Sequence, residues 1–299
     1  MRTMILYYNT NTYFFPYLKD INIKCFKVYK NVNKIISIIR KIPVLNIYAY
    51  GNWKKELELY NRIIIFDNAF DKNLAKFLKK NFLGKIFIYS WNTAISQEDK
   101  NLLIKAKTYF PVFSFDKNNC KELDLFFASM VYSNDIVSQF TVNSSLNYDV
   151  VFLGWDKGRR NELISLYDTL ENFNLNCLFV VRDNTKKKLH EDFIITDQNV
   201  PYEDYLKILK STKVIVDITK TGQEGITIRM VEALFFKKKV ITNKKDIDTY
   251  DFYNKNNVFI LGKDNVNDLV HFINTSYEEI PLKIVKKYDL KYWVDEYFI

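Results

Sequence analysis

Two glutamates and an arginine stand at a loop–helix junction late in the chain. The stretch TGQEGITIRMVEALFFKKKVITN, residues 221–243, places Glu224 eight positions before Glu232, with Arg229 between them. It follows the apolar run KVIVDI (213–218), which is typical of a buried strand. The start of a helix presents N–H groups that suit an anion, and a carboxylate can accept hydroxyl groups. The junction therefore predicts a site for a phosphorylated ligand that carries hydroxyls.

The spacing along the predicted helix supports this interpretation. Arg229 and Glu232 share one face with Gly225, whereas Ile228 and Val231 lie on a second face that we expect to pack on the core. At 1.5 Å per residue, Glu232 lies about 9 Å from the helix start. This roughly matches the distance from a diphosphate at the helix tip to the ribose hydroxyls of a nucleotide. The alternative is a solvated helix with an ordinary Arg–Glu pair.

A second loop has the composition of a phosphate site. In VVFLGWDKGRRNELISL (150–166) a strand is followed by Gly154, then by Lys157, Gly158 and Arg159, then by a helix. The loop lacks the G-x-G-x-x-G fingerprint, so it does not predict a dinucleotide site. Its basic side chains could instead supply charge to a diphosphate. Solvent-facing basic residues are the alternative.

Length and composition limit the class of protein. The chain has 299 residues, 16% of them aromatic, which suffices for two domains, and its net charge is +9. The three cysteines are far apart and do not have the spacing of metal ligands. No apolar run is long enough to span a bilayer. No nucleic-acid motif occurs. We expect a cytoplasmic protein.

Strand and helix patterns alternate, which indicates a parallel α/β fold. The polar stretch 133–147 interrupts the pattern, and we place a linker there, between domains at 1–140 and 141–299. The predicted strands are 4–8, 45–50, 62–67, 85–91, 111–116, 148–154, 176–181, 193–196, 213–218, 238–242 and 257–261. The predicted helices are near 30–41, 71–81, 96–107, 159–172, 202–212 and 265–275, with a further helix inside the stretch 221–243. The aromatic tail 289–299 is also expected to be helical and to pack back onto the body.

Several stretches in one order resemble a known family. They are FLGWDKGR, YLKILKSTKVIVDI, QEGITIRMVEALFFKKKVITN, YDFYNKNNVFILG and YDLKYWVDEYF. Residues 148–299 are similar to the donor-binding domain of GT-B glycosyltransferases, especially small bacterial enzymes of capsule, lipopolysaccharide and surface-polysaccharide synthesis. IIIFDNAF, KIFIYSWN and VFSFDKNNC resemble the acceptor domain of the same group more weakly.

The resemblance implies two Rossmann-like domains with parallel sheets facing across a cleft. It also implies a hexosyltransferase that needs no metal or other cofactor, because cationic side chains and a helix N-terminus stabilise the leaving diphosphate. The implied partners are a nucleotide sugar and a glycan or lipid-linked acceptor. The implied donor-binding residues are Gly154, Lys157, Gly158 and Arg159 in the first loop, and Gln223, Gly225, Ile226, Thr227, Arg229 and Glu232 in the second.

The catalytic assignment remains open between two acids. Glu224 and Glu232 match the E-x7-E spacing of many retaining members, whose first glutamate lies near the donor sugar. Many such enzymes carry a histidine in the first domain, whereas the histidines here are His190 and His271. If the enzyme inverts, a first-domain carboxylate must act as base. Asp67, at the end of RIIIFD, is the best placed, and Asp116, at the end of VFSFD, is second. A helix-capping role is the alternative for either residue.

Two other functions fit the same architecture. One is a non-catalytic subunit that binds a nucleotide sugar or a polysaccharide, and the other is a GT-B-like nucleotide-sugar epimerase. Acid–base work on a sugar often uses histidine, so the scarcity of histidine disfavours the epimerase. The charge of +9 and the many aromatic residues also suggest docking on the inner face of an anionic membrane.

Overall fold

The computed structural model describes residues 1–8, 14–30, 34–39, 42, 45–140, 146–185, 190–219 and 222–299. The chain forms two compact units, and each has an α/β architecture. Unit 1 comprises Met1–Ile136 and Leu290–Ile299, and unit 2 comprises Val137–Asp289. The tail 290–299 therefore groups with the first unit, whereas the predicted boundary at 140/141 had placed it in the second domain. Residues 141–145 of the predicted linker lie outside the described residues.

Unit 1 is built on a parallel sheet of six described strands in the order β2-β1-β3-β4-β5-β6. The strands are β1 (Thr3–Tyr7), β2 (Ile23–Lys27), β3 (Arg62–Phe66), β4 (Lys85–Ser90), β5 (Val112–Ser114) and β6 (Phe126–Phe127). The helices are α1 (Lys34–Ile39), α2 (Asn46–Ala49), α3 (Lys72–Asn81), α4 (Gln97–Lys107), α5 (Lys117–Leu123) and α6 (Asn134–Gln139), the last of which runs into unit 2.

Local sequence explains most of these elements. In α3 the apolar residues Leu74, Ala75 and Leu78 are buried at helical spacing, and Asp71 caps the first turn by accepting two backbone N–H groups. The central strands β1 and β3 are buried along their whole length, as their continuous apolar runs predict for a covered parallel sheet.

Two predictions in unit 1 were wrong. The stretch 45–50 was expected to be a strand, but it contains the short helix α2, because burial of Asn46 and Ala49 three residues apart suits a helical turn. The edge strand β2 was missed because its lysines interrupt the apolar pattern.

The last helix, α12 (Leu290–Tyr297), packs within unit 1. The buried Arg62 donates to the carbonyl oxygens of Val294 (2.9 Å) and Phe298 (2.5 Å) and pairs with Asp295 at 2.7 Å. Trp293 is fully buried and donates to the Ser129 carbonyl at 2.8 Å. The aromatic tail is thus part of the core of unit 1, whereas its composition predicted only that it packs back onto the body.

Unit 2 has a parallel sheet of six described strands in the order β12-β11-β10-β7-β8-β9. The strands are β7 (Tyr148–Trp155), β8 (Cys177–Arg182), β9 (Ile194–Thr196), β10 (Thr212–Asp217), β11 (Lys239–Thr242) and β12 (Val258–Ile260). The helices are α7 (Arg160–Asn172), α8 (Tyr202–Lys210), α9 (Ile228–Phe236), α10 (Leu269–Asn274) and α11 (Leu282–Val285).

Counted from β7, the strands of unit 2 follow the order 3-2-1-4-5-6 of a Rossmann fold. The order reverses between β7 and β10, which pair directly. One face of the sheet packs on α7 and α10 through a core that includes Phe152, Leu163 and Phe179. In the described part of the chain, no helix combines the length and the apolar character needed to cross a bilayer.

Candidate functional site

The two loops singled out from the sequence meet at one place in unit 2. One leaves the carboxyl end of β7 and the other leaves the carboxyl end of β10, and these two strands are neighbours. Open α/β sheets bind ligands beyond the carboxyl ends of the strands, at the point where the strand order reverses. The predicted donor-binding residues therefore surround the position that the topology favours for a ligand.

Arg229, on the first turn of α9, reaches back to both strands. Its Nε donates to the Leu153 carbonyl at 3.1 Å, and its Nη1 lies 3.4 Å from the buried carboxylate of Asp217. Gly154 leaves the space for this guanidinium, since a Cβ at that position would overlap Nη2 of Arg229. The role of Gly154 is thus steric, and it fixes where the Arg229 charge lies.

Arg159 and Arg229 both lie near the aromatic ring of Phe152. The Cζ atoms of Arg159 and Arg229 are 5.3 and 5.5 Å from the centroid of Phe152. Arg159 is 6% exposed and donates to the carbonyls of Ile218 (2.5 Å), Asp156 (3.1 Å) and Trp155. Burial first, and then the positive charge of Arg229, lower the pKa of Arg159 to about 10. Arg159 therefore ties the β7 loop to the end of β10.

The remaining residues of the β7 loop are more accessible. Lys157 and Gly158 are exposed and have φ angles of 48° and 82°, so the loop turns through the left-handed region before α7 begins. A cation at this turn is better placed to reach a soluble ligand than the buried Arg159 is.

The β10 loop leads into α9 through a capped start. Thr227 accepts the Met230 N–H at 3.3 Å, as an N-cap residue does. Gly225 and Ile226 are buried, Gln223 donates to the Gly225 carbonyl at 3.3 Å, and Glu224 is exposed. Residues 220 and 221 of this loop lie outside the described residues.

Lys244 is one of the residues of the site that were missed in the sequence. Lys244 follows β11, is buried, and donates from Nζ to the Glu224 carbonyl, while Asp246 lies 2.9 Å from the same Nζ. The Tyr250 hydroxyl donates to the same carbonyl at 3.4 Å. Lys244 thus holds the loop that carries Glu224. Its position after a strand was the available signal, but one lysine among many in the run KKK…NKKD gives no sign of burial.

The structure differs from the polar stripe that the sequence predicted along α9, because Glu232 lies in a buried position. The helix is buried on almost every side, and Glu232 is only 2% exposed. Its two carboxylate oxygens accept hydrogen bonds from Tyr202 (2.9 Å) and Tyr205 (2.5 Å), both on α8. Burial raises the pKa of Glu232 to about 7, against the opposing effect of the two tyrosine hydroxyls. The alternative interpretation, a surface ion pair between Arg229 and Glu232, is not observed either, because Arg229 pairs with Asp217.

Asp67 belongs to unit 1 and follows β3, where the order of that sheet reverses next to β1. Its carboxylate is buried and accepts hydrogen bonds from the Asn68 N–H (2.8 Å), Ser90 Oγ (3.2 Å) and Asn92 Nδ2 (3.3 Å). Burial raises the pKa of Asp67 to about 6. Asp116, the second acid considered, caps α5 instead.

One group of metal-ligating side chains occurs among the described residues, namely Asp168, Glu171 and His190. His190 Nε2 lies 3.2 Å from an Asp168 oxygen, and its Nδ1 accepts the Asp192 N–H at 3.3 Å. Both ring nitrogens are thus engaged. Exposed acidic groups of this kind are common without a metal.

Comparison with known proteins gives the fold class. No family model and no curated protein matches the sequence. Several solved structures superpose along nearly the whole chain, among them the three that follow. An α-glucosyltransferase solved with UDP and a 13-mer DNA matches with a TM-score of 0.59 and 12% identity, covering 100% of this chain and 98% of that chain. HepE from Anabaena, solved with UDP and glucose, matches with a TM-score of 0.55 and 11% identity, covering 99% of this chain and 98% of that chain.

AviGT4, a glycosyltransferase of avilamycin A biosynthesis, matches with a TM-score of 0.55 and 9% identity, covering 99% of this chain and 96% of that chain. Together with the two parallel six-stranded sheets, these matches show that the chain has the GT-B fold, as the sequence predicted.

Proposed function

We propose that this protein is a glycosyltransferase that transfers a sugar from a UDP-sugar, bound by unit 2, to a glycan or lipid-linked acceptor. The observation that carries the proposal is the pair of guanidinium groups, Arg159 and Arg229, that both lie near the ring of Phe152 at the carboxyl ends of β7 and β10. After burial, the positive charge of Arg229 is the next cause that disfavours the charge on Arg159, and a diphosphate bound beside them would relieve that repulsion.

The charges around the loops support an anionic ligand. Arg159, Arg229 and Lys244 are cations at this edge, whereas Asp217 is the buried acid that pairs with one of them. Glu232 adds less negative charge than an exposed glutamate would, because its pKa is about 7. The start of α9 adds N–H groups that suit a phosphate. UDP is the nucleotide in two of the matched structures.

The proposal assigns roles to individual residues. Lys157 and Arg229 neutralise the diphosphate, Gly225, Ile226 and Thr227 present the loop backbone to it, and Lys244 keeps that loop in place. Gly154 and Gly158 permit the close approach and the turn of the β7 loop. Arg159 contributes charge while it holds the loop through main-chain carbonyls, and Gln223 braces the Gly225 carbonyl.

Glu232 is assigned to the ribose hydroxyls, with one condition. Both of its oxygens accept hydrogen bonds from tyrosine hydroxyls, so the ribose must replace at least one of them. The exchange of one hydroxyl donor for another costs little in hydrogen bonding. Tyr202 and Tyr205 would then line the nucleoside end of the site.

Two acids remain candidates for the chemistry, and they imply different outcomes. Glu224, exposed in the β10 loop, would act on the donor sugar in a retaining reaction. Asp67, with a pKa of about 6, is suited to take a proton from an acceptor hydroxyl in an inverting reaction. Product stereochemistry, read by NMR from the anomeric configuration, separates the two.

The wider proposal is a role in bacterial surface-polysaccharide synthesis with no metal requirement. It is supported by the resemblance of residues 148–299 and by the cationic site. The test is single-turnover release of UDP from radiolabelled UDP-sugars, with and without an acceptor glycan, in EDTA. Acceptor-dependent release supports a transferase. An epimerised sugar would indicate the epimerase, and tight UDP binding with no release would indicate a binding subunit.

A further inference from the structure

The amino ends of the strands in unit 1 carry a row of exposed apolar side chains, each two or three residues before a strand begins. They are Ile21 before β2, Met1 before β1, Leu59 before β3 and Leu83 before β4. Ile21 is 82% exposed, Met1 68% and Leu59 51%, and Leu83 is fully exposed. We call these four residues the amino-edge row. Apolar side chains that cluster in water on a folded protein mark an interaction surface.

The row is continuous because the four strands lie side by side. Their order in the sheet is β2-β1-β3-β4. Thr3 pairs with Ile23 and with Arg62, and Arg62 pairs with Lys85, so the four strands begin at the same edge. Adjacent strands are about 4.8 Å apart, so the row is about 15 Å long. It lies at the edge opposite to the carboxyl ends of the strands, where Asp67 lies.

The most exposed member of the row is fixed in place by its neighbours. Phe82 is buried, and the Lys85 N–H donates to the Asn61 carbonyl at 3.0 Å. A Cβ on Gly84 would lie 2.3 Å from the same carbonyl oxygen, so only a glycine lets the chain pass there. Leu83 therefore stands at the surface on a tight turn.

Charged residues accompany the row, and their signs alternate along the edge. The charges are negative at β2 (Asp20), positive at β1 (Arg2), negative at β3 (Glu58) and positive at β4 (Lys85). Asp20 is half-buried, and the other three are exposed. A row of this kind is complementary to itself, because half a turn about its centre brings each acid onto the position of a base.

We propose that two copies of this protein pair through the amino-edge row as a two-fold symmetric dimer. With the axis between β1 and β3, the start of β2 in one copy faces the start of β4 in the other, and β1 faces β3. Ile21 then packs on the partner's Leu83, and Met1 packs on the partner's Leu59. The proposal does not depend on the transferase assignment.

The same rotation pairs the charges. Asp20 meets the partner's Lys85, and Arg2 meets the partner's Glu58. A two-fold interface uses one surface twice, so that surface must complement itself. The row satisfies this requirement both in its apolar residues and in its charges, whereas binding to an unrelated protein requires no such alternation. A second copy of this chain is therefore the partner that the charges favour.

The first test is sedimentation equilibrium of the purified full-length protein over a series of concentrations. We expect a monomer–dimer equilibrium. Leu83→Asp should raise the dissociation constant of the dimer at least about a hundredfold, because the leucine is buried at two places in each dimer. Ile104→Asp is the matched control. It changes an exposed apolar residue on α4, away from the row, and should keep the wild-type constant.

The second test exchanges the charges. Arg2→Glu alone, or Glu58→Arg alone, brings like charges together twice in each dimer and should raise the dissociation constant at least about tenfold. An equimolar mixture of the two variants should dimerise like the wild type, because position 2 of each copy then meets the opposite charge at position 58 of the other. Lys76→Glu and Glu98→Lys, at exposed positions on α3 and α4, are the matched controls and should dimerise normally without mixing.

A wild type that remains a monomer throughout the series would overturn the proposal and leave the row to a different protein partner. A dimer that Leu83→Asp leaves intact would overturn it too, because the contact would then lie elsewhere. Charge variants that mixing does not restore would contradict the two-fold pairing. Restoration by mixing also shows that each single variant is folded, since a partner cannot repair a subunit that has lost its structure.

Discussion

Replacement of Glu232 by glutamine gives the sharpest test of the site. The carboxylate is 2% exposed, and burial raises its pKa from 4.5 to about 7. The folded protein therefore prefers the protonated carboxyl. The sign follows from linkage. The stabilisation by the protonated Glu232 carboxyl is fully present below pH 4.5. It is lost as the pH rises through about 7, where the buried group ionises.

The magnitude follows from the same two values. A rise in pKa from 4.5 to about 7 corresponds to about 3 kcal/mol of unfolding free energy. Glutamine fills the same space, keeps one acceptor for a tyrosine hydroxyl and has no charge to bury. The free energy of unfolding of Glu232→Gln minus that of the wild type should therefore increase by about 3 kcal/mol between pH 4.5 and pH 8.

The assay is urea unfolding of both proteins across this pH range. Other groups whose pKa is raised, such as Asp67, titrate in both proteins and cancel in the difference. Tyr202→Phe is a matched control. It removes a donor that lowers the pKa of Glu232, so it should move the midpoint of the pH dependence upward. Parallel pH profiles for the wild type and Glu232→Gln would refute the reasoning.

The same titration should appear in ligand binding. If the ribose hydroxyls donate to Glu232, UDP affinity should rise as the pH increases through about 7, where the carboxylate forms. In Glu232→Gln the affinity should be weaker and should lack this pH dependence. Calorimetric titration with UDP measures both. A wild-type affinity in the glutamine variant would remove Glu232 from the donor site and leave it a structural partner of the tyrosines.

Three further predictions concern the loops and the chemistry. Gly154→Ala should displace the Arg229 guanidinium and weaken UDP binding about 10- to 100-fold, measured by calorimetry, and it should also lower thermal stability because the buried Asp217 carboxylate loses its partner. Unchanged affinity would show that Arg229 does not meet the diphosphate. Lys244→Met should lower UDP affinity by releasing the Glu224 carbonyl, whereas Lys244→Arg should retain part of the affinity. Equal affinities in the two variants would contradict the proposal that Lys244 holds the loop. In steady-state kinetics, Glu224→Gln should lower kcat with little change in donor KM if it acts at the reacting carbon. Asp67→Asn should lower kcat in the same way if the reaction inverts. A variant that keeps the wild-type kcat excludes its residue from the chemical step.

Much of the fold could be predicted because its elements carry local signals. The strands of unit 2 are short apolar runs bounded by turn residues, and the predicted strand at 148–154 agrees with β7 (Tyr148–Trp155) to one residue. Helix α3 shows the same agreement through its amphipathic spacing and its Asp71 cap. Where burial contradicts local pattern, the prediction failed. Residues 45–50 have strand-like composition, yet Asn46 and Ala49 are buried on a helical turn.

The site shows the same division. The positions of Gly154, Arg229 and Glu224 beside the ends of two strands follow from the order of apolar runs along the chain, because parallel strands place their carboxyl ends at one edge. Periodicity also placed Arg229 and Glu232 on one face of α9. It could not show that Glu232 is buried, because burial depends on α8, whose tyrosines come from residues 202–205.

The sequence therefore determined the fold class, the two loops and the residue types at the site, since these depend on spacing along the chain. The partner of each charge depended on packing between distant segments. Arg159 holds carbonyl groups up to 59 positions away, and Lys244 reaches Glu224, 20 positions earlier. The physical reason is that a charged side chain removed from water must form hydrogen bonds with the oxygen or hydroxyl groups that the fold places beside it. Only the assembled unit brings those atoms within hydrogen-bonding distance.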